Sequence, residues 1–269
     1  AGSGILCIAL LERLSEELSP KTIVKITCYE NDSTILSLLK ENLQVAKAKS
    51  NLNVTFKIIT DNYIISQLHD LNNDLFTTSD NKKYDLIIGN PPYKKIRKNA
   101  PEALVLNEVC HGAPNLYFLF ATMGIYNLDD NAEMVYITPR SWTSGAYFEL
   151  FRKHLFTHAI LSRIHLFESR NKVFDKESVL QETIIFKIKK TLKQPKSIPI
   201  STTESNKDFA YINLINIPYN VIVSGPSYYV HLVRDETEIK ALHLINRQSY
   251  TLTDLGPVSY THLTLPTNY

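Results

Sequence analysis

Apolar runs rich in β-branched residues alternate along this chain with longer stretches whose apolar positions recur at helical spacing. That alternation predicts an α/β fold. After Gly2 and Gly4, the residues Ile5, Ile8, Ala9, Leu11 and Leu14 share one helix face. Residues 23–29 (IVKITCY) are β-rich and end at Glu30, before a helix expected over 33–47. Residues 53–60 (NVTFKIIT) read as the next strand, ending at Asp61, and 66–83 are polar and loop-like. Then comes DLIIGNPPY, residues 85–93. Leu86, Ile87 and Ile88 predict a buried strand, and Gly89 lets the backbone leave it before Asn90, Pro91, Pro92 and Tyr93 form a stiff loop. Further on, an apolar helix is expected over 115–126, a turn over 127–131 and a strand over 133–138, with Pro139-Arg140-Ser141-Trp142 just beyond it. A helix over 147–156 and strands over 160–166 and 183–188 follow.

After Lys190 the texture changes. Residues 193–209 (KQPKSIPISTTESNKDF) are rich in Pro, Ser and Lys and read as a linker. Short β-prone pieces at 210–217, 221–223 and 228–232 precede a helix-like stretch over 235–246.

Composition changes this picture little: a length of 269 residues, 44% hydrophobic and 10% aromatic, fits one large α/β domain and part of a second. No apolar run is long enough to span a bilayer and no signal-peptide pattern opens the chain, so no membrane partner is expected. Cys7, Cys28 and Cys110 lack metal-like spacing and point to a reducing, cytoplasmic setting. His154 and His158 lie four apart, but no third ligand accompanies them, so no metal is expected. Charge placement says more than the net charge of +2. Lys94, Lys95, Arg97 and Lys98 follow the proline loop without an intervening acid, and residues 151–200 hold eleven Lys/Arg against four Asp/Glu. A basic loop of this kind is a candidate for DNA phosphates, the competing reading being a solvated loop.

The proline loop carries the candidate chemistry. The Asn90 amide oxygen and the Pro91 carbonyl are two acceptors suited to the two hydrogens of an amino group, and Tyr93 offers a π-face beside them. A planar amino-bearing ring stacked there would gain roughly 1–3 kcal/mol on the scale of aromatic platforms. The loop resembles the catalytic motif of the S-adenosylmethionine-dependent amino-methyltransferases. With Asn first, it most resembles the N6-adenine DNA methyltransferases of restriction-modification systems. The order of motifs, cofactor residues first and catalytic loop second, resembles the gamma class, as do the NLY stretch at 115–117, the P-x-S-W stretch and the Val173-Phe174 pair before the last strand.

The resemblance implies a Rossmann-like methyltransferase fold with S-adenosylmethionine as cofactor. Gly2, Gly4, Glu30, Asp61, Asn90 and Phe120 would bind the cofactor: Glu30 accepts from the ribose hydroxyls, Asp61 from its adenine amine, and Phe120 flanks that adenine. Asn90, Pro91, Pro92 and Tyr93 would be catalytic, and Tyr93 and Phe174 would stack on the two faces of a base flipped from double-stranded DNA. A first strand that should feed the Gly2/Gly4 turn is expected to be missing. The chain is then divided into an N-terminally truncated catalytic domain (1–189), a linker with a partial target-recognition domain (190–257) and a non-native tail (258–269) that resembles translated adapter DNA. An endonuclease domain or subunit outside this chain is an expected partner. Two alternatives are a protein glutamine N5-methyltransferase, whose substrate amide would occupy the same loop, and a catalytically silent DNA-binding fragment. No cysteine follows a proline, which argues against methylation at cytosine C5.

Overall fold

The computed structural model describes residues 1–67, 83–167, 182–205 and 209–248. Helix α1 (Ile5–Glu17) begins at Gly4, whose φ of 84° suits glycine and whose absent Cβ would lie 2.8 Å from Leu39 Cδ1. Strands β1 (Ile23–Tyr29) and β2 (Asn53–Ile59) pair in parallel from Ile23↔Asn53 to Tyr29↔Ile59, and helix α2 (Leu36–Lys49) makes the crossover between them. The two helices cover these strands with two small apolar clusters. One gathers Leu11, Ala46, Leu52 and Val54 with Val24 and Phe56, and the other gathers Cys28, Leu39 and Leu43 with Cys7 and Ile58.

The main sheet has six strands: β3 (Tyr84–Gly89), β4 (Leu128–Pro139), β5 (Ile160–Phe167), β6 (Thr183–Lys189), β7 (Ser197–Thr203) and β8 (Asn213–Pro218). Their order is β3-β4-β6-β5-β7-β8, with β3/β4 and β5/β7 parallel and the other neighbours antiparallel. Among the described residues no ladder joins β1 and β2 to this sheet. Helix α1, which packs on Val24 and Ile26 of β1, also lies against β3. Helices α3 (Pro101–Val105) and α4 (Leu116–Asn127) lie between β3 and β4 in the chain, and α5 (Glu149–His158) leads into β5. An apolar helix without a polar face must be covered on all sides. Accordingly Tyr117, Phe118, Leu119, Met123 and Ile125 of α4 are all buried. A short helix α6 (Tyr219–Ile222) then leads into a hairpin of β9 (Val223–Ser224) and β10 (Tyr229–Val230).

Two local expectations differ from the structure. Residues 127–131, read as a turn, mostly belong to β4, whose register against β3 shifts between Tyr84↔Leu128 and Leu86↔Glu133. Asn131, at φ 63°, lies in the extra length of β4 that this bulge accommodates. The stretch at 193–209, read as a linker, contains β7, so the sheet continues past residue 189. Pro199 is tolerated there because the parallel ladder to β5 begins one residue later, at Ile164↔Ile200. Chain contacts close a first unit at Leu232 and begin a second at Val233. The described part of the second holds helix α7 (Glu236–Asn246), capped by the Asp235 carboxylate, which accepts from the Glu238 N–H at 2.8 Å. The residues of the expected tail lie outside the described residues.

Candidate active site

The chain leaves β3 at Gly89, where a Cβ would stand 2.9 Å from the ring of Tyr136 on β4. Only glycine lets the backbone pass that ring before the proline loop. Beyond it Asn90 is exposed, Pro91 is buried and Tyr93 is half-buried. The Tyr93 hydroxyl donates to the Ile137 carbonyl at 3.4 Å, and its ring meets Tyr117 edge-on, centroids 6.2 Å apart at 86°. Tyr117 is fully buried, its hydroxyl 3.1 Å from that of Ser141 in the turn after β4. Burial pushes the Tyr117 phenol well above its ordinary range, so it serves as a neutral partner. Behind it an aromatic chain continues through Phe148 (6.0 Å), Phe118, Phe151 and Trp142 to Phe186 of β6, 5.0 Å from Trp142. The Trp142 indole N–H donates to the Thr138 hydroxyl at 3.1 Å.

A second cluster lies one helical turn along α4, at Phe120. Phe120 packs on Tyr63 with centroids 5.3 Å apart, and Tyr63 packs on Tyr29 at 4.8 Å. A polar ring closes the same space. The Tyr63 hydroxyl donates to Asn127 Oδ1 at 2.9 Å, Asn127 Nδ2 donates to Gln67 Oε1 at 3.2 Å, and Gln67 Nε2 donates to the Tyr29 hydroxyl at 3.0 Å. Glu30 follows Tyr29 and reaches the glycine turn. Its carboxylate accepts from the Gly2 N–H at 2.6 Å and the Asp32 N–H at 2.9 Å, two backbone donors that favour the charged form against partial burial. Asp61 stands exposed at the end of β2, two residues before Tyr63. Helix α4 therefore serves both clusters: Tyr117 faces Tyr93 while Phe120, three residues on, faces Tyr63.

The basic loop is fixed at its base and exposed at its tips. Leu116 N–H donates to the Lys94 carbonyl at 2.9 Å and Ile96 N–H to the Pro114 carbonyl at 2.8 Å, while Lys94, Lys95, Arg97 and Lys98 are exposed. Lys94, Lys95, Ile96, Arg97, Asn99 and Ala100 line an open groove of about 520 Å³. Phe174 lies outside the described residues. Among the described residues no grouping of three or more His, Cys, Asp or Glu side chains could hold a metal ion. The rings of His154 and His158 are 4.4 Å apart, and burial, with His158 beside it, lowers the His154 pKa to about 4. Tyr29, Tyr63, Tyr117 and Ser141 were not among the residues singled out from the sequence. Tyr29, Tyr117 and Ser141 stood inside stretches named above, but an all-apolar helix gives no sign of which aromatic faces the loop.

The profile of the Eco57I restriction-modification methylase family matches residues 14–174, more than half of the chain. The chain belongs to that family. Among curated relatives, the type II methyltransferase M.PstI of Providencia stuartii is 31% identical over 95% of this chain and 50% of its own length. The type II methyltransferase M.BsuBI of Bacillus subtilis is 34% identical over 83% of this chain and 44% of its own. The chain thus spans about half the length of the curated relatives it matches. A Listeria monocytogenes structure assigned to the class I S-adenosylmethionine-dependent methyltransferases superposes with a TM-score of 0.51 at 17% identity, covering 77% of this chain and 66% of that one. The fold is that of the class I methyltransferases, and fold and family together imply S-adenosylmethionine as the cofactor. The residues present fit such a group. An aromatic pair, a glycine turn and a carboxylate with an acceptor site still open on Oε1 are what a nucleoside-bearing sulfonium requires. No helix among the described residues is long and apolar enough to cross a membrane.

Proposed function

We propose that this restriction-modification methylase transfers a methyl group to N6 of an adenine flipped out of double-stranded DNA. The observation that carries the reading is the proline loop: an exposed Asn90 at the carboxyl end of β3, next to Tyr93, whose ring is braced by Tyr117 and whose hydroxyl is tied to β4. S-adenosylmethionine supplies the methyl group when bound, with Gly2, Gly4, Glu30, Asp61 and Phe120 holding it and Asn90 beside it. Asn90 Oδ1 and the Pro91 carbonyl accept the two hydrogens of the adenine amine. That favours the pyramidal nitrogen whose lone pair can attack, a lone pair otherwise delocalised into the ring. Pro91 and Pro92 keep the loop in shape, and Tyr93 stacks on the extruded ring, with Phe174 assigned to its other face. Extrusion costs a few kcal/mol, which stacking and phosphate contacts offset. Lys94, Lys95, Arg97 and Lys98 supply the phosphate contacts. Residues 190–257 belong to the linker and target-recognition region, an endonuclease domain or subunit is the partner activity, and the setting is the cytoplasm.

The decisive test uses the full-length enzyme and an adenine-containing duplex. Asn90→Ala is expected to abolish methyl transfer while leaving S-adenosylmethionine affinity nearly intact. Transfer at the parent rate by this variant overturns the role of Asn90. Family membership gives no support to a glutamine N5-methyltransferase, and methylation of protein rather than DNA by the parent enzyme would reinstate that reading.

A further inference from the structure

Arg152 of α5 is fully buried, and its guanidinium donates to carbonyls. Nη1 donates to the Trp142 carbonyl at 2.9 Å and to the Gly145 carbonyl at 2.7 Å, and Nε donates to the Ser227 carbonyl at 2.9 Å. The flat face of the group lies over the Tyr229 ring, 4.9 Å from its centroid, and Nη2 has no hydrogen-bond partner among the described residues. Two segments far apart in sequence are thereby held by one side chain. The first is the turn at 139–145 that follows β4. The second is the β9/β10 hairpin, which a Phe156–Tyr228 stack at 5.6 Å also fastens to α5.

The Glu149 carboxylate one turn earlier interacts with the charge, and burying the guanidinium still costs free energy that an apolar residue of similar volume would not cost. What an apolar residue cannot do is set the position of three carbonyls at once with a planar fork. The path from that fork to the proline loop is short. Gly145, whose carbonyl Arg152 holds, donates its N–H to the Ser141 carbonyl at 3.0 Å. The Ser141 hydroxyl is 3.1 Å from that of Tyr117, and Tyr117 braces Tyr93.

We infer that Arg152 is a positioning residue that couples the β9/β10 hairpin to the 139–145 turn, and through Ser141 and Tyr117 sets the stacking face of Tyr93. The inference rests on the functional reading above. It makes the hairpin, which lies within the expected recognition region (190–257), a mechanical input to the loop that receives the base.

The test measures kcat and the KM for DNA in the full-length enzyme, with the methylated nucleoside identified in the same reaction. Displacement of a stacking group by about an ångström can cost on the order of a hundred-fold in rate. Arg152→Met is therefore expected to lower kcat by roughly ten- to a hundred-fold with S-adenosylmethionine affinity within about two-fold of the parent. Arg152→Lys, which keeps the charge and some of the donors, is expected to recover part of that loss. Tyr229→Leu leaves Arg152 in place and loosens the hairpin end, and a smaller fall in kcat is expected. A parent-like kcat in Arg152→Met overturns the inference, as does a loss of cofactor affinity in step with kcat. Should Arg152→Met not fold, Tyr229→Leu decides, and parent values for both kcat and KM overturn the coupling. A parent product other than N6-methyladenine instead overturns the functional reading and leaves the comparison of rates intact.

Discussion

In β1 and β2 only Cys28 and Val54 are buried, whereas β5 buries six of its eight residues and β6 four of its seven. The first pair is covered by two helices and small aliphatic clusters, with Ile5 and Ile23 still 70% and 62% exposed. The second region is filled by interlocking rings, Trp142, Phe151, Phe118 and Phe186, each under 2% exposed. Of the expected cofactor residues, Gly2, Gly4, Glu30 and Asp61 sit on the thin side, while Phe120 on α4 and Asn90 in the proline loop sit on the thick side. A thin layer opens at lower free energy than an aromatic core. The difference therefore separates a region suited to admitting a ligand from one suited to holding a reacting group still, and the ring of Tyr29, Gln67, Asn127 and Tyr63 is where the two meet.

That contrast can be broken by substitution on either side. Trp142→Ala is expected to cost about 3–5 kcal/mol of unfolding free energy, and Leu11→Ala about 2 kcal/mol, because the thin cluster can collapse around the smaller side chain. Equal losses in denaturant titrations would erase the distinction. Binding sharpens it next. Glu30→Ala is expected to weaken S-adenosylmethionine by about 1.5–3 kcal/mol, roughly ten-fold or more, without altering DNA affinity. Unchanged cofactor affinity by calorimetry would reduce Glu30 to an anchor for the glycine turn.

DNA should be felt on the thick side alone. Binding is expected to be salt-dependent, because phosphate contacts release counterions, and those contacts carry no base readout of their own. Replacing any one of Lys94, Lys95, Arg97 or Lys98 by Ala should reduce the slope of log K against log salt by about 0.9. A slope that does not respond would move the DNA surface elsewhere. The smallest effect concerns His154, packed against Tyr126 and His158 and within the buried side of α5. Its pKa in the folded chain, about 4, lies below the ordinary 6.5, so the unfolded chain takes up a proton that the folded chain refuses. Stability contributed by neutral His154 is complete above pH ~6.5 and declines as pH falls toward ~4. Melting temperatures of the parent and of His154→Gln should converge over that window, and parallel curves would show that His154 does not govern the acid limb.

How far the sequence could be read depended on what each segment offered. The strand before the proline loop was legible because Leu86, Ile87 and Ile88 end at a glycine, although β3 proves half-covered rather than buried, and Gly89 proves to be the residue that clears Tyr136. Gly2 and Glu30 were expected only as separate cofactor residues, and the 2.6 Å hydrogen bond between them is seen only in the fold. Strand β7 was hidden by Pro195, Pro199 and two lysines, which mimic a linker. Only its neighbour β5 reveals why a proline is harmless at that register. Arg152 gave no sign at all, since one arginine on a half-polar helix reads as a solvated charge until the carbonyls it meets, ten residues earlier and 75 later, are brought to it by the fold.

Trp142 is the only tryptophan of these 269 residues. Its indole is 1% exposed, hydrogen-bonded to Thr138 and flanked by Phe151 and Phe186, all on the thick side. Its emission is therefore a built-in and private reporter: blue-shifted while the aromatic core is intact, and silent about β1 and β2. A denaturation in which circular dichroism begins to fall before the emission reddens would show the cofactor half opening first, without a label or a second variant.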